Sequence, residues 1–306
     1  MKLLKNLVKN KKCPICLKKK FRNLGKVNIG HSDLRSLLSL LECIYCNHWF
    51  YSMIPNEKYL NYLYNSNSKY IFGHVHSKYE IEIKQKIKKK GLKLVKTDEK
   101  HWIFEYMKNS KIGSYLEIGP GYCSLFKTFR KHGWKCEGYE LQSWIKDKGI
   151  VHKPNKIKKI KKDVLVMQDV LEHVIDPVTF LKKFSKFQKK SGKVFLAYPN
   201  SSSYKAKILK TYWPMVEPLG HLNFFSFKST KIMLDKCGYE PLIIKTESFV
   251  IAKKLLRSIV RLPITIISDL IKMNFISALK RLPEIILNIL DLINGDQFHI
   301  IGIKKK

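Results

Sequence analysis

The chain is 306 residues long, 45% hydrophobic, with 59 Lys plus Arg against 24 Asp plus Glu and a formal net charge of +35. The apolar share excludes a disordered polyelectrolyte, and the length holds one large domain or two smaller ones. Arg stands only at positions 22, 35, 130, 257, 261 and 281, so the charge is nearly all Lys, which argues against sequence-specific nucleic-acid readout by the bidentate Arg fork.

Two readings of the charge stay open. One is solvated surface in a Lys-, Ile- and Asn-rich composition. The other is an anionic partner: a phosphate-bearing substrate, RNA or an acidic membrane surface. The seven cysteines include two Cys-x-x-Cys pairs. With no signal peptide at the N-terminus, this predicts a reducing, cytoplasmic compartment and metal binding rather than disulfides. No uninterrupted apolar run is long enough to span a bilayer.

In chain order, Cys13-Pro-Ile-Cys16 and Cys43-Ile-Tyr-Cys46 come first. Each pair can place two thiolates on one turn, and two such turns complete a tetrahedral Zn²⁺ site. Four thiolates leave no open coordination position, so the expected metal is structural. His31 and His48 are not needed as ligands and read as surface or packing residues. Residues 1–54 therefore read as a small zinc ribbon, ended by the apolar strand Trp49-Phe50-Tyr51. Residues 55–108 read as a helical linker or cap. Tyr59, Leu60, Tyr62, Leu63 and Tyr64 suggest an aromatic helix, a polar loop covers 65–68, and helical spacing returns over 77–108.

The third segment, 109–306, opens with Ser114-Tyr-Leu-Glu-Ile-Gly-Pro-Gly-Tyr-Cys-Ser124. A short buried strand breaks at the glycine turn and resumes as a helix over 125–132. Glycines there let the backbone approach a ligand closely, and the helix start presents free N–H groups. Lys135-Cys-Glu-Gly-Tyr-Glu140 reads as a second strand ending in an acid. In a βαβ unit such a carboxylate faces the ribose of a bound nucleoside, and Glu140 follows Gly121 by about the expected 20 positions. A short third strand is expected over 149–152. A buried strand over 163–170 leads into Leu171-Glu-His-Val-Ile-Asp-Pro177, where Asp176-Pro177 opens a helix. Ser191-Gly192 reads as a turn before the next buried strand, Lys193 to Asn200. Tyr198, at that strand's carboxyl end, is placed to touch an acceptor. A helix over 229–237, a strand over 239–249 and a last strand over 297–304 follow. Between them, 252–293 interleaves apolar and basic residues as an amphipathic helical insert. It reads as a lid or dimer surface, or as a peripheral contact with an anionic membrane at its inner face.

The repeated strand–helix alternation predicts an α/β, Rossmann-like sheet with helices on both faces and ligands at the carboxyl ends of the strands. Glu117-Ile-Gly-Pro-Gly121, Glu140, Gln168-Asp-Val-Leu-Glu-His-Val-Ile-Asp-Pro177 and Tyr198-Pro-Asn200 together resemble the class I S-adenosylmethionine-dependent methyltransferases. The resemblance implies a seven-stranded, mostly parallel sheet whose last strand is antiparallel. It implies that Glu117, Gly119, Pro120 and Gly121 hold the methionine end of S-adenosylmethionine. It implies that Glu140 with Leu141 holds the ribose, and that Gln168, Asp169 and Val170 line the methyl-donor pocket. Ser124 stands where a dinucleotide fingerprint would have its third glycine, which suits the short methionine tail better than a pyrophosphate.

The four-cysteine head resembles that of the type 23 branch, which includes sugar C-methyltransferases. In those enzymes a His-Glu-His-type loop after the fifth strand supplies the base. Here the loop reads Glu217-Pro-Leu-Gly-His-Leu-Asn-Phe-Phe-Ser226: His221 matches the second histidine, while Leu219 and Gly220 replace the first histidine and the glutamate. An imidazole near neutral pKa can remove the acceptor's proton. His221 is therefore the first candidate base and His173 the second. The expected activity is methyl transfer to a small-molecule or glycan-precursor acceptor, an anionic nucleotide- or lipid-linked sugar among them. The rivals are an RNA methyltransferase, which the absence of an Asn/Asp-Pro-Pro-Tyr signature disfavours, and a non-catalytic zinc-ribbon binding protein.

Overall fold

The computed structural model describes residues 4–27, 38–65, 85–87, 89, 91–218, 220–248, 289 and 293–305. Residues 66–68 of the expected polar loop, 77–84 of the expected helix, His31, Leu219 and nearly all of the 252–293 insert lie outside them; Asn65 closes a helix, Glu57–Asn65.

The main sheet has seven strands: β6 (Ser114–Ile118), β7 (Lys135–Tyr139), β8 (Ile150–Val151), β9 (Lys162–Gln168), β10 (Gln188–Pro199), β12 (Tyr239–Glu247) and β13 (Gln297–Lys304). Their order is β12-β13-β10-β9-β6-β7-β8. Every pair from β10 to β8 is parallel. The last strand, β13, inserts antiparallel between β10 and β12. The central strands read as unbroken apolar runs because both faces are covered. Leu116, Ile118, Leu165, Met167, Val194 and Leu196 face one side, with α4 (Pro177–Ser185) and α6 (Phe227–Lys236) over them. Tyr115, Val164, Val166 and Phe195 face the other, under α2 (Trp102–Met107) and α3 (Ser124–Lys131). The chain leaves β6 toward β7 on one side and places β9 on the other. That reversal opens a crevice at the carboxyl ends of β6 and β9, where ligands of such sheets bind.

Two expectations need correction. Ser191-Gly192 is not a turn between elements: β10 begins at Gln188, and the pair forms an irregularity in its pairing with β9 between Gln188 and Lys193. Ser191 takes a left-handed φ of 59° there. Tyr198 does not face the crevice. By the two-residue alternation of β10 it shares a side with Val194 and Leu196, is fully buried, and donates its hydroxyl to Thr230 Oγ1 at 3.1 Å.

The cysteine-bearing segment is sewn into this body. It contributes β2 (Phe21–Lys26), β3 (Ser39–Cys43) and β4 (Trp49–Tyr51), while β1 (Leu7–Lys9) pairs separately with β5 (Met53–Pro55). The fourth strand of the ribbon sheet is β11 (Asn223–Phe224), from the loop that follows β10; the order is β11-β4-β3-β2. Cys13, Cys43, Cys46 and Phe50 share one apolar cluster with Leu116, Leu165 and Met233. The ribbon and the large sheet therefore bury a common core.

Candidate active site

The crevice has two ends, called the cofactor end and the acceptor end after the roles the sequence motifs lead one to expect. The cofactor end is the turn after β6. Left-handed backbone alternates through it, at Gly119 (φ 69°), Gly121 (φ 49°) and Cys123 (φ 63°), which turns successive N–H groups toward one side. A Cβ at Gly119 would stand 2.7 Å from Val170 Cγ2, whereas nothing lies within 4 Å of a Cβ at Gly121. The first glycine is required by packing against the turn after β9, and the second leaves room for a ligand.

Glu140, at the end of β7, is buried and accepts from Gly121 N at 3.2 Å and Gln142 N at 2.9 Å. Burial pushes its carboxyl above the usual range, against those two backbone donors. Leu141 follows, half-buried. Glu117 is 4% exposed and accepts from the Tyr115 hydroxyl at 2.7 Å. Burial raises its carboxyl to about 7 although that hydrogen bond opposes the rise. From the cap side, Trp102 of α2 stacks on His299 at 4.3 Å and donates its indole N–H to Gln168 Oε1 at 3.1 Å. Asp169 follows with φ 50° and accepts from Gln297 Nε2 at 3.1 Å. The glycine turn, Glu140, Gln168, Asp169 and Val170 thus lie together at the carboxyl ends of β6, β7 and β9.

The acceptor end joins two segments. One is the 3₁₀ turn Leu171–His173 after β9; the other is the loop that runs into β11. Leu222 N donates to Glu172 O at 2.6 Å, and Asn223 Nδ2 donates to Val174 O at 2.6 Å. These bonds bring the His173 and His221 rings to 4.9 Å between centroids. His173 Nδ1 lies 2.9 Å from Gly220 O, and His221 Nδ1 lies 2.8 Å from Met215 O. A carbonyl only accepts, so each Nδ1 carries a proton. Low-dielectric surroundings lower the His173 pKa to about 4, so its imidazole is neutral through the physiological range. Glu172, the residue between Leu171 and His173, belongs to the same cluster: one donor atom each from Glu172, His173 and His221 lie within 4.8 Å of one another. Sequence reasoning missed Glu172 as a site residue. Its signal was present as the neighbour of His173 in the quoted motif, but the partner from the distant loop was not legible.

The four cysteines also converge, with all Sγ atoms within 4.8 Å of one another. Cys13 and Cys46 stand 3.5 Å apart, and Cys16 and Cys43 stand 3.4 Å apart. The two pairs sit on like turns: Leu17 N donates to Cys13 O and Asn47 N to Cys43 O. Leu17 and Asn47 are both left-handed, at 66° and 55°.

A methyltransferase domain family model matches residues 74–243, more than half of the chain. The chain belongs to that family. Its sheet and activity are those of an S-adenosylmethionine-dependent methyltransferase, as the motifs implied. No curated protein matches the sequence. Among solved structures, the phosphoethanolamine N-methyltransferase 2 of Haemonchus contortus, in complex with S-adenosyl-L-methionine, is similar at 12% identity and a TM-score of 0.47, over 84% of this chain and 63% of that one. A methyltransferase from Archaeoglobus fulgidus is similar at 17% identity and a TM-score of 0.45, over 73% of this chain and 99% of that one. One from Methanosarcina mazei is similar at 13% identity and a TM-score of 0.42, over 67% and 98%. Among the described residues of the methyltransferase, no helix is long and apolar enough to cross a membrane.

Proposed function

We propose that this methyltransferase modifies a small anionic acceptor, a nucleotide- or lipid-linked sugar precursor in the first instance, at the end of the crevice walled by His173 and His221. The observation that carries the reading is the ring pair, 4.9 Å apart between centroids, next to a glycine turn whose Gly119 packs on Val170. S-adenosylmethionine, when bound, supplies a sulfonium-activated methyl group. The chain's own residues then have three tasks. The 119–121 turn and Glu140 hold the cofactor, with Glu117, Pro120, Leu141, Gln168 and Asp169 around it; the open space at Gly121 fits a ligand. The ring wall aligns the acceptor, which substitutes for the entropy loss of a bimolecular encounter. His221 takes the acceptor's proton, while His173, with its pKa lowered to about 4, is too weak a base and orients instead.

Zn²⁺ fits the four cysteines. Tetrahedral Zn–S bonds of about 2.3 Å put sulfurs about 3.8 Å apart, and here all four lie within 4.8 Å of one another. Such an ion would hold the ribbon rather than react. The excess of Lys suits an anionic acceptor, and the basic insert 252–293 would bring the enzyme to the membrane face when that acceptor is lipid-linked. Calorimetry with S-adenosylmethionine on zinc-loaded protein should show a single site. Release of S-adenosylhomocysteine should then depend on sugar nucleotides or polyprenyl-linked sugars. Turnover that instead requires RNA would replace this acceptor class, and absence of cofactor binding would remove the reading.

A further inference from the structure

We infer that a hollow at the amino ends of the central strands is a second binding site, for a soluble organic polyphosphate of the nucleoside di- or triphosphate class. The hollow has a volume of about 630 Å³, within the range of small-molecule sites. Its walls come from the amino-terminal parts of β6, β7, β9 and β10, with Ser114, Lys135, Asp163 and Lys189 among them. The glycine turn lies past the other end of β6, and strand residues at about 3.3 Å each put the two roughly 15–20 Å apart. The hollow is therefore separate from the crevice.

Six lysines line it, Lys111, Lys135, Lys161, Lys189, Lys190 and Lys193, against a single acid, Asp163. They are six of 17 lining residues, whereas Lys and Arg together are 59 of 306 in the chain, so the hollow concentrates a charge that is elsewhere more dilute. Asp163 is already engaged: it accepts from Ser114 N at 2.8 Å, from Ser114 Oγ at 2.7 Å and from Lys189 Nζ at 2.7 Å. Lys161 donates to Lys186 O, and Lys193 Nζ lies 5.1 Å from the centroid of the Tyr106 ring. Among the described residues, Lys111, Lys135 and Lys190 have no hydrogen-bond or ion-pair partner. Ammonium groups gathered around one hollow repel one another, and a bound anion of several charges relieves that repulsion at each of them.

The backbone is shaped to this arrangement. Gln188 pairs with Lys162 and Lys193 with Val164, so 189–192 stand opposite Asp163 alone. Such an excursion within a strand re-aims its side chains, and here it brings Lys189 and Lys190 to the rim. Between the ammonium groups the wall is apolar. Ile112 and Ile160 are 59% and 68% exposed, and Trp134 lines the hollow with them. Apolar wall beside converging cations suits a ligand with an apolar or aromatic body and attached phosphates, rather than an inorganic ion. A hollow of this size takes a small molecule whole, whereas a membrane is met by a broad amphipathic face.

Calorimetry on zinc-loaded full-length protein, in about 0.15 M salt to screen diffuse charge, tests the site with two probes, tripolyphosphate and GTP. Each should bind once per chain, without competition from S-adenosylmethionine. Lys135→Glu combined with Lys190→Glu should weaken both by at least about tenfold, while zinc content and S-adenosylmethionine affinity hold. Lys58→Glu combined with Lys228→Glu changes the net charge equally at exposed positions outside the hollow, and should leave both affinities within about twofold. Ile160→Ser should weaken GTP several-fold and tripolyphosphate hardly at all. Should a variant fail to fold, tripolyphosphate added to wild-type protein should still shift the amide resonances of 111–114 and 189–193 and spare those of 119–121. Absence of saturable binding of either probe at millimolar concentration, equal weakening by the two lysine pairs, or displacement of GTP by S-adenosylmethionine would overturn the inference. So would binding confined to RNA or to phosphatidylglycerol vesicles, which would replace the ligand class.

Discussion

The two ends of the crevice are built differently. The cofactor end is local: Gly121 and Glu140 lie 19 positions apart, just past the ends of adjacent strands, and the Gly121 N–H donates to the Glu140 carboxylate. Its shape follows from one βαβ unit. The acceptor end is assembled from segments 47 and more positions apart and is held from outside. Asn223 bonds Val174 O on one side and the buried His48 ring on the other, at 3.2 Å. Ser226 Oγ donates to Cys46 O at 2.7 Å, and β11 pairs with β4. The ribbon therefore clamps the loop that carries His221 by hydrogen bonds and strand pairing, whereas it meets the strand before the glycine turn through the shared apolar core. The difference teaches that the cysteine module can act on catalysis without approaching the cofactor.

The strongest way to break this comparison is Cys16→Ser. Structural zinc sites hold about 10 kcal/mol of apparent binding energy. Losing a ligand should remove the zinc measured by atomic absorption and, at roughly 5 kcal/mol, lower the melting temperature by about 10 °C or more. Turnover should vanish while calorimetric affinity for S-adenosylmethionine changes little. Equal loss of both would show that the ribbon supports the whole fold rather than one end.

Glu117→Gln probes the other end. The folded carboxyl titrates at about 7 against 4.5 for the free group. Between those values the folded chain keeps a proton that the unfolded chain has lost, so wild-type stability falls as pH rises through this window. The amide removes that penalty. Chemical denaturation should show the variant up to about 3 kcal/mol more stable than wild type above pH 8, and less than about 1 kcal/mol more stable at pH 5. A pH-independent difference would assign Glu117 a different environment.

Asn223→Ala sharpens the contrast directly. It leaves His48 and the Val174 carbonyl without their partner and should lower stability by about 2 kcal/mol. It should reduce kcat several-fold with the cofactor's Kd unchanged. Gly119→Ala is the mirror experiment. The left-handed φ and the 2.7 Å approach to Val170 should together lower stability by about 1 kcal/mol. Affinity for S-adenosylmethionine should weaken by roughly tenfold, equivalent to about 1.4 kcal/mol, with little effect on zinc content.

The cofactor end was legible because its signals are short-range. A glycine turn announces its own backbone, and an acid at a fixed distance announces the next strand. The two Cys-x-x-Cys pairs were legible for the same reason. The acceptor end was not, because no local pattern says that Glu172 will meet a histidine from beyond β10. His173 and His221 were picked singly, and their meeting depends on Leu222 and Asn223 bonding back to the 171–174 turn. The ribbon boundary at residue 54 was drawn from composition and could not anticipate that β11 completes its sheet. Tyr198 was misread from its position at a strand end. Counting alternation from Val194 would have turned it toward α6.

The pairing of β11 with β4 also orders events in time. The cysteine turns are made well before β11, and a ribosome adds about 5–20 residues per second. His48 and Asn223 are separated by 175 positions, so the strand that completes the ribbon sheet emerges roughly 10–35 s later. Through that interval β4 offers an unpaired edge, the kind of surface that invites association with other chains. A metal captured early would hold Cys13 to Cys46 together while the rest is made. The ribbon sheet is thus completed long after its cysteines are made, and yield during expression should respond to zinc supply during synthesis more than to zinc added afterwards.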